Sequence, residues 1–339
     1  ADRLADEGPS DGYLNDEGDF IEAPRAEKKW KISPRIGIGF PITDRVAFHF
    51  SYAQFFKWRE YNLMYRLANM ADPNIYQNSL WPFPYSLNDW YIARVGNPNM
   101  KPETTVLYEL GLRWHLSENF FLKTTLYYKD VYDYVTFVNY YVDPTDYAVL
   151  ENQDYANSRG VELNLKKLFS RNFSFSINYT YSKAVGNASN EHSHWYEEYL
   201  SSVYGTYPSM KTVTMSWDQP HTLNFTLDYR HPKRYGLNLI GYYGSGLPYT
   251  PTDIRGLNLG ESNSGRMPSN AYVDFMAYKD FPFKSLSARI FLDVRNALNT
   301  RNVYNVFSNS GKPDESLNPN ASPAWEDRPH YFGPPRHIE

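Results

Sequence analysis

The chain has no cysteine among its 339 residues. That excludes a disulfide framework, thiolate metal sites and a cysteine nucleophile. Net charge is small, −4 at pH 7, so there is no electrostatic footprint for nucleic acid. Long apolar runs are also missing. Nothing approaches the ~20 residues a membrane-spanning helix needs, and mean hydropathy is −0.62. Residues 1–19 are a polar run, without the charged and apolar regions of a secretory leader. The expectation is an internal piece of a longer protein.

Aromatic residues, in contrast, are plentiful. They make up 17% of the chain, with 31 Tyr, 20 Phe and 8 Trp. Membrane-spanning sheets place Tyr and Trp at their two interfaces, where an amphipathic ring suits the headgroup zone. The length would allow two ordinary domains, but the internal rhythm is uniform and reads as one domain or a part of one.

That rhythm is an alternation of linker lengths between runs about ten residues long. Short linkers fall near residues 41–45, 117–119, 168–171, 232–235 and 281–285, and long ones near 57–103, 139–153, 185–219, 247–268 and 300–335. Antiparallel strands with tight turns at one rim and long loops at the other describe an outer-membrane β-barrel.

The runs themselves have period two. In residues 105–116, Val106, Tyr108, Leu110, Leu112, Trp114 and Leu116 share one face, and Glu109, Gly111, Arg113 and His115 the other. Phe173, Phe175, Ile177, Tyr179 and Tyr181 oppose serines, asparagine and threonine. Leu223, Phe225, Leu227 and Tyr229 oppose Asn224, Thr226, Asp228 and Arg230. Val161, Leu163 and Leu165 oppose Glu162, Asn164 and Lys166, and Val46, Phe48, Phe50 and Tyr52 oppose Ala47, His49 and Ser51. One face of each strand meets an apolar medium and the other meets water. Weaker patterns at 36–40, 120–136, 235–245, 270–279 and 286–298 complete about ten strands of membrane-spanning length. A soluble sandwich also alternates, but its strands average about five to six residues, and it has no reason to gather its long loops at one rim.

Strand direction adds a further expectation. The strand at 36–40 runs into a short turn and so descends towards the periplasm, with residues 1–30 the end of an extracellular loop. Residues 333–339 read as the start of another descending strand. Ten strands and this stub make about eleven, which fits part of a 22-stranded wall.

Several segments resemble TonB-dependent outer-membrane receptors. NPNMKPETT at 97–105 leading into YELG at 108–111 is similar to that family's NPxLKPExxxxYExG segment. RGVEL at 159–163 resembles its recurrent strand. KISPRIG at 31–37 with YAQFF at 52–56 resembles the SPRxG…YGxFF pair of receptors with a carboxypeptidase-regulatory-like extension. VRNALN at 294–299 and PPR at 334–336 resemble segments near the family's C-terminus.

The resemblance implies an all-β transmembrane antiparallel barrel, with residues 31–339 part of its C-terminal half, in the outer membrane of a Gram-negative (diderm) bacterium. It implies TonB-dependent uptake of a siderophore, vitamin, glycan or peptide. The implied partners are the TonB complex, acting through a plug and TonB box outside these residues, outer-membrane lipids, the substrate, and a lipoprotein lid. An unplugged porin or surface-binding barrel is the alternative.

No catalytic, cofactor-binding or metal-binding residue is expected, and no enzymatic activity. EHSHWYEE at 191–198 has metal-ligand residue types, but its spacing matches no tight motif and it reads as a solvated loop. GYYGSG at 241–246 fits neither a phosphate loop nor a nucleophile elbow and reads as a bend at the outer rim. His49 and His115 fall on the inner face without a nucleophile at readable spacing. Trp and Tyr of the long loops, among them Trp58, Tyr61, Tyr65, Trp81, Trp90, Trp195 and Trp217, suit either ligand capture or packing of the loops on themselves.

Overall fold

In a strand, a side chain's face is set by the parity of its position, so the alternation converts directly into a two-faced wall. The computed structural model describes residues 13–14, 20–21, 27–64, 93–140, 147–187, 211–232, 234–284, 286–320 and 328–339. β1 (Tyr13–Leu14) and β2 (Phe20–Ile21) form a small separate ladder. The wall begins with β3 (Arg35–Thr43) and β4 (Val46–Lys57), followed by the one-turn helix α1 (Tyr61–Met64) and the short β5 (Ala93–Val95). It continues through β6 (Glu103–Ser117), β7 (Phe120–Tyr140), β8 (Tyr147–Ser170) and β9 (Phe173–Gly186). After β10 (Val213–Thr214) come β11 (His221–Arg230) and β12 (Tyr235–Gly244). β13 (Pro248–Tyr249) and β14 (Gly265–Arg266) pair with each other. β15 (Asn270–Pro282), β16 (Ser287–Arg295) and β17 (His337–Ile338) complete the wall.

The sheet order is β17-β16-β15-β12-β11-β9-β8-β7-β6-β4-β3, an antiparallel meander of eleven strands. β5 alone joins in parallel, alongside the outer end of β8. Substantial packing between elements runs only between hydrogen-bonded neighbours. No second layer of described strands covers either face, which removes the soluble sandwich. Ile38, Phe50, Leu110, Leu126, Val161 and Tyr181 form one continuous cross-strand row. Leu110 in its centre is 40% exposed, as a side chain must be when lipid is its solvent.

The short turns lie close to their expected places, at 44–45, 118–119 and 171–172. The tightest places Arg171 (φ 49) and Asn172 (φ 72) in the left-handed region, as a two-residue hairpin requires. Lys167 supports it. Its side chain is buried, its ammonium donates to the carbonyls of Ser170 and Phe173 (both 2.7 Å) and Leu168 (3.3 Å), and it lies 3.8 Å from the Phe173 ring centre.

The outer side departs from the sequence pattern. Alternation predicts a long loop at 139–153, but pairing of β7 with β8 continues to Tyr140↔Tyr147. These strands have 21 and 24 residues, about twice what crossing requires. The extension follows a bulge at Asp133 (φ 55), where the register shifts and the strict parity behind the loop assignment ends. Beyond it, Val135, Phe137 and Leu150 pack with Met64 and Met100 into a buried apolar cluster. The described hydrophobic core therefore sits at the rim, not between sheets. The last spanning strand also ends earlier than its pattern, at Arg295, because Asn296 (φ 48) leaves the extended region.

Leu163 lies midway along the spanning part of β8, on the lipid face. Leu163→Arg should cost about 2–4 kcal/mol, whereas Glu162→Gln beside it on the inner face should cost under about 1 kcal/mol. Denaturant unfolding from lipid vesicles measures both.

Candidate functional site: inner face and outer rim

The inner face is built from the alternate residues of the same strands. His49, Gly111, Thr125, Glu162, Thr180 and Thr222 form one row, and Arg113, Lys123, Asn164, Asn178 and Asn224 the next. Much of this face is internally satisfied. Ser51 Oγ donates to Glu109 Oε2 at 2.8 Å, Arg230 pairs with Asp228 at 2.7 Å, and Arg289 with Asp280 at 2.7 Å. Tyr242 and Tyr272 stack at 5.3 Å. Gly111 is glycine for a spatial reason: a Cβ there would run into the His49 ring.

Apolar side chains interrupt this polar surface near the C-terminal strands. Ile240 on β12, Met276 on β15 and Phe291 on β16 share the inner face with Asp274, Asn238 and Asp293. They are 44%, 44% and 58% exposed. Register sets them on a diagonal across three neighbouring strands, so they make one apolar stripe.

At the outer rim, irregular segments are fastened to strand ends by a repeated device. The Asn152 side-chain amide accepts from Lys101 N (2.7 Å) and donates to Lys101 O (2.9 Å) and Asp133 O (2.8 Å). Asn270 pairs in the same reciprocal way with Val303 N and O (2.7 and 2.9 Å), and Asn296 with Thr300 N and O (3.0 and 2.9 Å). A planar amide sets N–H donors beside a carbonyl acceptor, so it imitates a ladder residue where no strand continues. The 97–103 segment is further held by Lys29 Nζ on the carbonyls of Asn99 and Met100. Met100 plugs the apolar cluster, and Glu103, its side chain 5% exposed, lies 2.8 Å from Arg59. A second anchor joins Asp218, nearly fully buried, to Arg266 and to the backbone N–H of Ala184.

The structure separates the groups that suggested chemistry. The His49 imidazole lies over Gly111, and the neighbouring Ser51 hydroxyl is committed to Glu109. His115 packs edge-on against Phe121 at 4.8 Å. In GYYGSG, the Phe225 ring overlies Gly241, and a Cβ on Gly246 would collide with the Met267 carbonyl, so close approach accounts for both glycines. Residues 191–198 lie outside the described residues, as do Tyr65, Trp81, Trp90 and Trp195. Trp58, Tyr61 and Trp217 are described and exposed. No group of three or more metal-ligating side chains occurs among the described residues. Sequence reasoning misses the asparagine anchors, although Asn296 lies within the VRNALN motif.

Comparison with known proteins agrees with this geometry. The family profile described as TonB dependent receptor-like, beta-barrel matches residues 7–297. No curated protein matches the chain. Among solved structures, the outer membrane transporter YddB from Escherichia coli is 13% identical with a TM-score of 0.57, over 82% of this chain and 38% of that one. The ferric enterobactin receptor PfeA from Pseudomonas aeruginosa is 16% identical with a TM-score of 0.54, over 90% and 39%. FpvA from P. aeruginosa, solved with an iron-loaded pyoverdine, is 12% identical with a TM-score of 0.56, over 93% and 33%. At these identities the likeness is one of fold. The chain spans well under two thirds of each of these proteins.

Asn152→Leu should speed hydrogen exchange at the Lys101 N–H by about two- to tenfold, since a lost hydrogen bond costs about 0.5–1.5 kcal/mol; global unfolding should shift much less. In the outer loop, the Asp253 carboxyl is held below its ordinary value by the Leu257 N–H and by Arg255. A depressed folded value stabilises the turn at neutral pH, and that contribution fades as pH falls through the folded value. A carboxyl chemical-shift titration should give a midpoint below that of an ordinary aspartate, and Arg255→Gln should raise it part of the way.

Proposed function

The chain belongs to the TonB dependent receptor-like β-barrel family, and from that we propose that it forms part of the wall of an active importer of a scarce solute. In this reading residues 31–339 are C-terminal strands of a 22-stranded barrel in the outer membrane of a Gram-negative bacterium, and residues 1–30 are the end of an extracellular loop. A plug encoded elsewhere in the protein fills the lumen. The TonB complex, engaging the plug side, supplies the energy that lets solute pass. Siderophores, vitamins, glycans and peptides all suit the fold, and a lipoprotein lid over the long loops is compatible with it. Siderophore capture has the support of fold likeness to PfeA, named as a ferric enterobactin receptor, and to FpvA, solved with an iron-loaded pyoverdine.

The observation that carries the plugged reading over a passive porin is the inner-face stripe of Ile240, Met276 and Phe291. A water-filled channel gains nothing from exposed apolar side chains, which cost about 25 cal/mol for each Å² left wet. A plug domain packed on the stripe recovers that free energy. The wall contributes shape, a polar track and anchored loops; no bond-breaking step is assigned to it.

The full-length protein is expected to take up its solute only in cells with functional TonB and an energised inner membrane, and not to swell liposomes. Phe291→Glu should raise the passive entry of a bulky antibiotic at least severalfold by loosening the plug contact. Swelling of liposomes by the wild-type protein would decide for the porin instead.

A further inference from the structure

Lipid-facing columns of the wall carry mainly aliphatic and aromatic side chains. On β8, β9 and β11 three basic exceptions fall together. Arg159 and Lys183 are direct cross-strand partners. His221 is opposite Tyr181, two positions from Lys183, and so is its diagonal neighbour. All three are exposed and share the face of Val161, Leu163 and Leu223.

Like charges set directly opposite each other destabilise a sheet. Elsewhere on this wall several cations have carboxylate partners, as in Arg230–Asp228 and Arg289–Asp280. Among the described residues Arg159 and Lys183 have none. The nearest carboxylate in register, Asp130 on β7, pairs with Asn157 and is buried. It accepts from Tyr155 (2.5 Å), Asn157 (2.7 Å) and Tyr132 (3.2 Å), not from Arg159. The cation at the other end of the same column shows the contrast: Lys167 is saturated by turn carbonyls.

The height of the pair is also informative. Arg159 and Lys167 are separated by about 27 Å of strand at about 3.3–3.4 Å per residue, and only Val161, Leu163 and Leu165 lie between them on this face. An outer-membrane barrel has an apolar band about 25 Å tall. Tilted about 35–45° in the wall, that length of strand rises about 20 Å, so with Lys167 at the periplasmic edge Arg159 stands within about 5 Å of the outer edge, where its long side chain reaches the outer-leaflet headgroups. His221 is held in place there, its Nδ1 2.8 Å from the Tyr179 hydroxyl and its ring against Tyr181. Its Nε2 remains as the nitrogen available to a ligand.

We propose that Arg159, Lys183 and His221 form a site for the phosphate groups of an outer-leaflet glycolipid of the lipid A class. The guanidinium offers a planar fork to phosphate oxygens, and the ammonium adds a second charge. The apolar column immediately below, Val161, Leu163 and Leu165, takes the acyl chains. That continuity selects a membrane lipid over a free anion. The proposal rests on the outer-membrane orientation given above, but not on the identity of the solute.

The test uses the full-length receptor extracted from outer membranes, with retained lipid measured by native mass spectrometry. Arg159→Gln with Lys183→Gln should reduce retained phosphorylated glycolipid by about tenfold or more, while Arg159→Lys with Lys183→Arg should keep most of it. Delipidated wild type should rebind the phosphorylated lipid and fail to rebind its dephosphorylated form. Millimolar inorganic phosphate should not displace it. Unchanged retention in the glutamine variant, with barrel folding verified by heat-modifiable gel mobility, overturns the proposal. So does equal binding of the dephosphorylated lipid, or displacement by inorganic phosphate. A receptor that holds the phosphorylated lipid but imports nothing leaves this site standing and overturns only the transport reading.

Discussion

Hydrocarbon cannot hydrogen-bond to a peptide group, and that constraint organises the wall. Every N–H and C=O within the apolar band must be satisfied by a neighbouring strand, which requires an uninterrupted antiparallel ladder. Once the ladder is fixed, parity does the rest. Leu110 and Glu109 are consecutive in the chain, yet one contacts acyl chains and the other receives the Ser51 hydroxyl on the inner face. A shift of one residue would exchange them along the whole strand. The wall therefore tolerates bulges only at its ends, at Pro41/Thr43, His115/Ser117, Lys167/Ser170 and past Val131.

The same constraint explains what is legible in the sequence. Where lipid imposes period two, the residues announce the strand: the patterns at Val106–Leu116 and Phe173–Tyr181 mark the hairpins, and the tight turns lie where expected. Outside the band the rule lapses. Asp133 turns the backbone out of the extended region, and Val135, Thr136 and Phe137 are then buried in succession. Alternation cannot reveal a strand whose two faces are both covered, so the β7–β8 projection has the sequence signature of a loop. The inner-face apolar stripe is partly legible, since Phe291 breaks the polar side of its strand. Its continuation through Met276 and Ile240 needs the register of three strands.

The rim is where a lipid-determined wall meets loops that no lipid constrains. A loop fixed only at two strand ends has many conformations to lose on binding. The structure limits that loss with local anchors. Asn152, Asn270 and Asn296 each give a passing segment the pair of hydrogen bonds that a missing strand would have supplied. Met100 adds apolar burial to the first of these, and the Glu103–Arg59 pair adds charge. This gives the NPNMKPE segment a physical role: it ties the rim of β6 to the β7–β8 projection and to Lys29.

Asparagine serves as such an anchor better than a longer or charged side chain would. Its amide stands one carbon from the backbone, so few rotamers are frozen when it pairs, and it stays neutral at any pH the cell surface meets. An aspartate at position 152 could accept from Lys101 N but would set its other oxygen against the carbonyls of Lys101 and Asp133, which now accept at 2.9 and 2.8 Å. An acceptor set against an acceptor costs more than a lost bond. Stiffness at the rim thus depends on groups with both a donor and an acceptor. The inner face below relies on ion pairs such as Arg230–Asp228 and Arg289–Asp280, which water can screen and exchange. The difference in chemistry matches a difference in mechanical role, because the mountings hold their geometry while the track beneath them can trade one polar partner for another.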